Sequence, residues 1–265
     1  MKMKLTKQEL KEFLEEKYDK YNRIGFIESD PVSVPHQFTK KEDIEIAGFL
    51  AATIAWGQRI TIINNANKLM QLMDNSPYEF VMNASKNDFL RFDNFVHRTF
   101  NTIDAVYFIK SLQNIYKKHG GLEIAFTPDV SNSSENNIIC ESAIMNFRKL
   151  FFSIDFPERS GKHVSNPSAN SSAKRLCMYL RWMVRADKRG VDFGIWKNTH
   201  FTARHLMCPL DVHSGNVARK LGLLQRTQND WKAVQELTSN LRKYDASDPV
   251  KYDFALFGLG VFEGF

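Results

Sequence analysis

The sequence predicts an all-α fold. Three observations carry that expectation: apolar residues return every three or four positions in segment after segment, capping residues mark helix starts, and strand-like alternation is nearly absent. No internal repeat is visible. The 265 residues suffice for one large domain or two small ones with a real core. With 43% hydrophobic and 25% charged residues, the composition is that of an ordinary globular protein. No apolar run approaches the roughly 18 residues that span a bilayer. The opening residues, Met1 to Glu9, lack the apolar stretch of a secretion signal. Cys140, Cys177 and Cys208 are odd in number and widely spaced, which excludes a disulfide framework and a four-cysteine metal site. A cytoplasmic setting, with no membrane contact and no protein partner, is the expectation. The formal charge of +6 and pI near 9.1 suit a nucleic-acid partner without specifying one.

Taken in order, Thr6 and Glu9 form a capping-box pattern, and Leu10, Phe13, Leu14, Tyr18 and Tyr21 follow at helical spacing. Residues 6–24 are therefore read as one amphipathic helix. Gly25, Asp30-Pro31, Pro35 and Lys40-Lys41 punctuate a loop over 25–41, where His36 and Phe38 fit packing or solvent better than ligand contact. Residues 42–57 make the most apolar helix of the first half, lined by Ile44, Ala47, Leu50, Ala51, Ile54 and Ala55, which places it in a core. Gln58 and Arg59 follow at once. Helical signals run through 60–74 and 76–84, with Pro77 at the first helical position.

Phe89, Phe92, Phe95 and Phe100 surround His97-Arg98 and fit core packing better than base stacking. Thr102 to His119 is a helix stopped by Gly120-Gly121, residues 126–136 are loop, and Ile138 to Phe152 is helical. The stretch 155–172 is the longest without a helical pattern. A loop of that length is functional or mobile, and its Arg159, Lys162 and His163 can sit over a phosphate.

Ser171 or Ser172 caps the next helix, Ala173 to Arg185, whose buried stripe is Leu176, Leu180 and Met183. Lys174, Met178, Arg181 and Arg185 form a second, basic stripe, either a solvated face or one partly buried beside an anion site. Trp196, Lys197, His200 and His205 lie between 187 and 207. The two histidines are five apart with no glutamate between them and match no zinc signature, so no metal and no cofactor is assigned. Asp230 to Tyr244 is a helix with Trp231 and Leu237 inward. Asp248-Pro249 starts the last helix and Gly258-Leu-Gly260 ends it.

The stretch Cys208 to Leu224 carries the candidate chemistry. Pro209 fixes an extended entry, and Asp211 then caps a helix whose free amides and positive end favour its carboxylate. Val217, Leu221 and Leu224 give the helix a buried face, and Gly222 ends it in the left-handed conformation. A carboxylate there, beside His213, Arg219 and Lys220, is either an ordinary cap or a group placed for chemistry on an anionic substrate.

The pattern Pro209-Leu-Asp211-Val-His213, five residues, then Arg219-Lys-Leu-Gly222-Leu, resembles the segment bearing the catalytic aspartate in the helix-hairpin-helix DNA glycosylase superfamily. Over nearly its whole length the chain is also similar to an uncharacterised bacterial family known only as a domain of unknown function. Asp30-Pro31, the run Asp43 to Arg59, Leu180 to Arg185, and Tyr252 to Gly260 carry that second likeness.

The glycosylase resemblance implies two helical lobes with a cleft between them, lobe one roughly 42–170 and lobe two roughly 1–41 plus 171–265. It implies damaged duplex DNA as partner and base excision with AP-lyase activity on a damaged purine such as 8-oxoguanine. The glycine-rich hairpin usual in that superfamily does not precede Asp211 here. The archaeal 8-oxoguanine glycosylase branch also lacks it, and its lysine lies early in an apolar helix. Lys174, thirty-seven positions before Asp211, matches that arrangement. The resemblance thus implies Lys174 as nucleophile and Asp211 as its acid/base partner, with Lys188 and Lys197 in reserve. A nucleophilic lysine must be partly neutral, and burial or the cations Arg175, Arg181 and Arg185 would favour that. Gln58, Arg59, Arg181, Arg185, Trp196, His213 and Arg219 are the expected DNA or substrate contacts. The other reading is a non-catalytic nucleic-acid-binding protein with a glycosylase-like fold, in which Asp211 is only a cap.

Overall fold

A computed structural model of the chain describes residues 5–128, 136–197 and 201–265, so His200 lies outside the described residues. They are mostly helical, with one short antiparallel pair of strands. The chain divides into two compact units: the described residues of Met1–Phe26, Val130–Glu141 and Asn166–Phe265 form the first, and those of Ile27–Asp129 and Ser142–Ser165 the second.

The first unit contains α1 (Lys7–Tyr21), α8 (Lys174–Val184), α9 (Val212–Lys220), α10 (Trp231–Leu241) and α11 (Asp253–Phe262). α1 starts with the capping box foreseen: Thr6 Oγ1 accepts the Glu9 amide at 3.2 Å and Glu9 Oε2 accepts the Thr6 amide at 2.7 Å. Leu10, Leu14, Tyr18 and Tyr21 are its buried face. That face lies on α11, where Tyr18 and Phe26 meet Phe254 and Tyr21 stacks on Phe262 at 5.6 Å.

The glycines expected to end α11 lie inside it. Gly258 and Gly260 are where neighbours come closest: a β-carbon on Gly258 would lie 2.1 Å from Tyr21 Cδ2, and one on Gly260 would lie 3.1 Å from His213 Cβ of α9. They are helical glycines kept for close approach, and the apolar helix continues to Phe262.

The second unit contains α2 (Lys41–Thr53), α3 (Arg59–Leu72), α4 (Pro77–Asn83), β1 (Val96–His97), β2 (Phe100–Asn101), α5 (Thr102–Lys118), α6 (Leu122–Ala125) and most of α7 (Asn136–Phe151), whose first turns are counted with the first unit. α2 is buried from Ile44 to Thr53. Phe49 on it meets Phe108, Phe147 and Phe151, and Phe126 stacks on Phe147 at 4.1 Å. Phe92, Phe95 and Phe100 are core residues, as their spacing suggested, while Phe89 is half-buried beneath Lys110.

The stretch 155–172 is more ordered than its composition suggested, with 3₁₀ turns at Glu158–His163 and Pro167–Ala169. The first turn is tied to α5 through Asp104, which is fully buried. Its carboxylate accepts the Asn101 amide at 3.0 Å and the Ser160 hydroxyl at 2.7 Å, and Arg159 and His163 lie at 2.6 and 3.4 Å. Arg159 and His163 therefore face this carboxylate. Burial raises the Asp104 carboxyl, but His163 and the hydrogen bonds from Asn101 and Ser160 prevail and bring it down to about 2.

Two stability predictions follow from these contacts. Gly258→Ala should cost about 2 kcal/mol in urea unfolding, because the Tyr21 ring must move off α11. An unchanged midpoint would show that the ring yields freely. Because the Asp104 value is lower folded than unfolded, Asp104 stabilises the native state above about pH 4 and that contribution is lost as pH falls toward 2. Asp104→Asn should remove roughly 2 kcal/mol of stability at pH 7 and flatten that acid limb.

Candidate functional site

Two helix starts meet at the site. α8 begins at Lys174, directly after Ala173, which adopts a left-handed conformation at φ 47° and serves as the N-cap. Neither serine expected there caps the helix, and Ser171 Oγ only accepts the Ala173 amide at 3.4 Å. Because the backbone turns at Ala173 itself, no side chain of 171 or 172 reaches the first helical amides. α9 begins after Asp211 with a full capping box: Oδ1 accepts the Ser214 amide at 2.9 Å, and Ser214 Oγ accepts the Asp211 amide at 3.0 Å. The second carboxylate oxygen is left for another partner. Lys174 Nζ lies 3.0 Å from Asp211 Oδ2.

Lysine at a first helical position faces the positive end of its own helix, an unfavourable place that the Asp211 charge offsets. Burial would raise the Asp211 carboxyl, but Lys174 and the Ser214 hydrogen bonds outweigh it and hold the group below its ordinary range. The Lys174 and Asp211 side chains remain 28% and 21% exposed. Beyond them, Asn229 donates to the Asp211 carbonyl at 3.0 Å and accepts Arg219 at 2.6 Å. The Arg219 Nε donates to the Arg226 carbonyl at 2.8 Å, so this guanidinium fastens the loop after α9. Gly222, at φ 74°, ends α9 as expected, with the Leu223 amide reaching the Ala218 carbonyl at 2.8 Å.

Arg181 on α8 and Arg185, the residue that follows its last turn, are 4% and 1% exposed. Of the basic stripe, Lys174 stays partly open while the two arginines are interior. Its guanidiniums are buried against carboxylates. Arg181 Nε lies 3.2 Å from Asp192, and its Nη1 contacts Asp253. Arg185 contacts Asp192 at 2.9 Å, Asp187 at 2.6 Å, Asp248 at 2.8 Å and the Tyr18 hydroxyl at 2.9 Å. Asn22 also donates to Asp187. Burial disfavours the Arg185 charge, but its three carboxylates reverse that and push the group above its ordinary value. Burial lifts the Asp253 carboxyl to about 6, with Asp211 and Asp192 adding to the rise against Arg181 and Lys174.

The chain between Asp187 and Trp196 closes this network. The Phe193 and Gly194 amides donate to the Trp182 carbonyl at 2.8 and 3.2 Å, and the Trp196 amide to the Met183 carbonyl at 3.0 Å. At Gly194 (φ 55°) a β-carbon would lie 2.5 Å from Ala186 Cβ, so only glycine fits this return over the end of α8. Trp196 is buried edge-on to Tyr179 at 5.7 Å, and Trp182 is fully buried.

A profile of the family described as Protein of unknown function (DUF2400) matches residues 30–262. The chain belongs to that family. Among curated proteins and solved structures, none matches the chain. The family's span covers the whole site, from α8 through Asp253.

Of the residues singled out from sequence, Lys174 and Asp211 come together, with His213 exposed in the first turn of α9 and packed by its Cβ against Gly260. Arg181, Arg185 and Trp196 are interior, and Arg219 is engaged with backbone. Gln58, exposed at the N-cap of α3, and Arg59, its first residue, belong to the second unit. Lys188 is exposed, and Lys197 Nζ lies 3.3 Å from the Gly194 carbonyl. The residues not anticipated are the acids: Asp187, Asp192, Asp248 and Asp253. The surplus of arginine on an otherwise apolar helix was the available signal for them, since buried guanidiniums require partners. All three cysteines are buried, and burial holds them as thiols, Cys140 up to about 12 and the others also well above ordinary. Among the described residues, no group of three or more His, Cys, Asp or Glu side chains is arranged to hold a metal, and no helix is long and apolar enough to cross a membrane.

Arg185→Met should lower stability by about 3–5 kcal/mol, because it removes the cation that Asp187, Asp192 and Asp248 share and leaves only Asp192 with a second guanidinium, that of Arg181. Urea unfolding measures it, and a loss below about 1 kcal/mol would mean that those carboxylates reach water.

Proposed function

We propose that the protein is a DNA base-excision glycosylase with AP-lyase activity on a damaged purine such as 8-oxoguanine. It acts on duplex DNA in a cytoplasmic setting, through a glycosylase-like, two-lobed helical fold. Lys174 is the nucleophile and Asp211 its acid/base partner. The observation that carries the reading is the 3.0 Å contact between Lys174 Nζ and Asp211 Oδ2, made across thirty-seven positions of sequence and open to solvent. The formal charge of +6 suits a polyanionic substrate.

The chemistry follows from the two groups. The neutral Lys174 amine adds its electron pair to C1′ of the sugar, the glycosidic bond breaks, and the base leaves with a proton. Asp211 accepts the ammonium proton beforehand, passes it to the departing base, and as a carboxylate again steadies the positive charge left on the sugar. The aminated sugar opens to a Schiff base, and loss of a C2′ proton then breaks the bond to the 3′ phosphate. The damaged base must leave the stack to reach such a site.

A second reading has one observation in its favour. The capping box gives Asp211 a complete structural role without any chemistry, as in a non-catalytic nucleic-acid-binding protein.

Borohydride trapping on an 8-oxoguanine duplex and an abasic duplex separates the two. A covalent adduct is expected with the native protein, none with Lys174→Gln, and one formed at least about 100-fold more slowly with Asp211→Asn. No adduct on either duplex, with binding retained, would leave the binding-protein reading.

A further inference from the structure

The first unit carries a cleft of about 340 Å³ that shares no residue with the Lys174–Asp211 pair. Lys7, Gln8, Lys11, Lys243 and Tyr244 line it. The start of α1 forms one wall, and the residues just after α10 form the other. Three of the five lining residues are lysines, and none is an acid. The acids nearest in sequence are engaged elsewhere. Glu9 accepts the Thr6 amide and hydroxyl at 2.7 and 2.8 Å, and Glu12 accepts the Gln8 side-chain amide at 2.7 Å. Glu15 stands four positions after Lys11, the spacing of a helical ion pair. It instead meets Lys251 at 2.9 Å and the Tyr252 hydroxyl at 2.6 Å. Asp245 is held by Lys251 at 2.9 Å and by the Ser247 hydroxyl at 2.7 Å. Among the described residues, none of the three lysines is in an ion pair.

Lys243 Nζ donates to the Asn240 side chain at 2.7 Å, and Asn240 donates to the Leu223 carbonyl at 2.8 Å. This neutral anchor positions the ammonium without offsetting its charge. Lys7 and Lys11 are like charges one helical turn apart, and Lys7 stands at the positive end of α1. The arrangement is unfavourable until an anion joins it. Tyr244 is half-buried, and burial raises its phenol, which stays protonated as a hydrogen-bond donor.

We infer that this cleft is a binding site for a small ligand bearing two linked phosphate groups, such as a nucleoside diphosphate. A carboxylate would bring one charge to three cations, and a nucleic-acid strand spreads single charges along its length. A diphosphate brings its charges together on adjoining groups, which matches three ammonium ions gathered in one concavity. The site is independent of the chemistry proposed for Lys174.

The test is brief acetylation of the full chain with and without pyrophosphate, each lysine being read by mass spectrometry. Exposed Lys86, in the second unit, is the reference. At about 1 mM pyrophosphate and roughly 50 mM salt, labelling of Lys7, Lys11 and Lys243 should fall at least about 3-fold, with Lys86 unchanged. Calorimetric titration should show saturable binding, at least about 10-fold tighter than for orthophosphate. Lys11→Gln and Lys243→Gln should each weaken it about 5-fold, whereas Lys86→Gln should not. The three lysines are exposed, so the urea midpoints of these variants should match the native one. Equal protection of every lysine, or no saturation by about 10 mM, overturns the inference. Protection of the three by undamaged duplex DNA and not by pyrophosphate overturns it too, and would make the cleft a contact for a nucleic-acid backbone.

Discussion

Two guanidiniums that cannot reach water organise the first unit. Arg181 lies on an interior helix and Arg185 at its end, and burying either charge alone would be prohibitive, so carboxylates must be delivered to them. The chain does this from several directions: Asp187 and Asp192 come from the return after α8, Asp248 and Asp253 from the approach to α11, and Tyr18 from α1. The network therefore specifies which segments surround α8, where an apolar core of the same volume would tolerate several packings. Its energetic worth is modest beside that specificity, since desolvation cancels much of the attraction. It also explains why the residues 187–196 adopt one path, with glycine at the single position where the return crosses the helix end.

Much of the local structure is legible in the sequence. The Thr6–Glu9 box, Pro77 at a helix start, the Asp211 cap and Gly222 at a helix end follow from short-range chemistry that tertiary packing has no reason to overrule. Misreadings arose where distant residues decide. Gly258 and Gly260 look like a stop signal, yet they are the places where Tyr21 and His213 press on the helix. Ser171 and Ser172 look like caps, but the turn at Ala173 moves the helix start beyond their reach. The stretch after 155 looks unstructured because its anchor, Asp104, lies some fifty residues earlier.

The site divides in the same way. The aspartate and the lysine are recognisable from a motif and a spacing, and they meet. The four supporting acids carry no motif, because each is defined only by the arginine it neutralises. A basic stripe on a helix has the same sequence pattern whether it faces water or a ring of aspartates. The contact of Asp211 with both Ser214 and Lys174 shows how one carboxylate serves two purposes: one oxygen fixes the helix start and the other faces outward. Orientation of the outward oxygen is thereby set by backbone geometry, which a free side chain would lack.

The seating of Tyr21 on Gly258 has a consequence for how the molecule is made. The two residues are separated by nearly the whole chain, so α1 cannot find its place until α11 has left the ribosome. The second unit draws most of its length from one continuous run, Ile27–Asp129, and completes itself with Ser142–Ser165, well before synthesis ends. The seating of α1 and the pairing of Lys174 with Asp211 both depend on residues in the last quarter of the sequence.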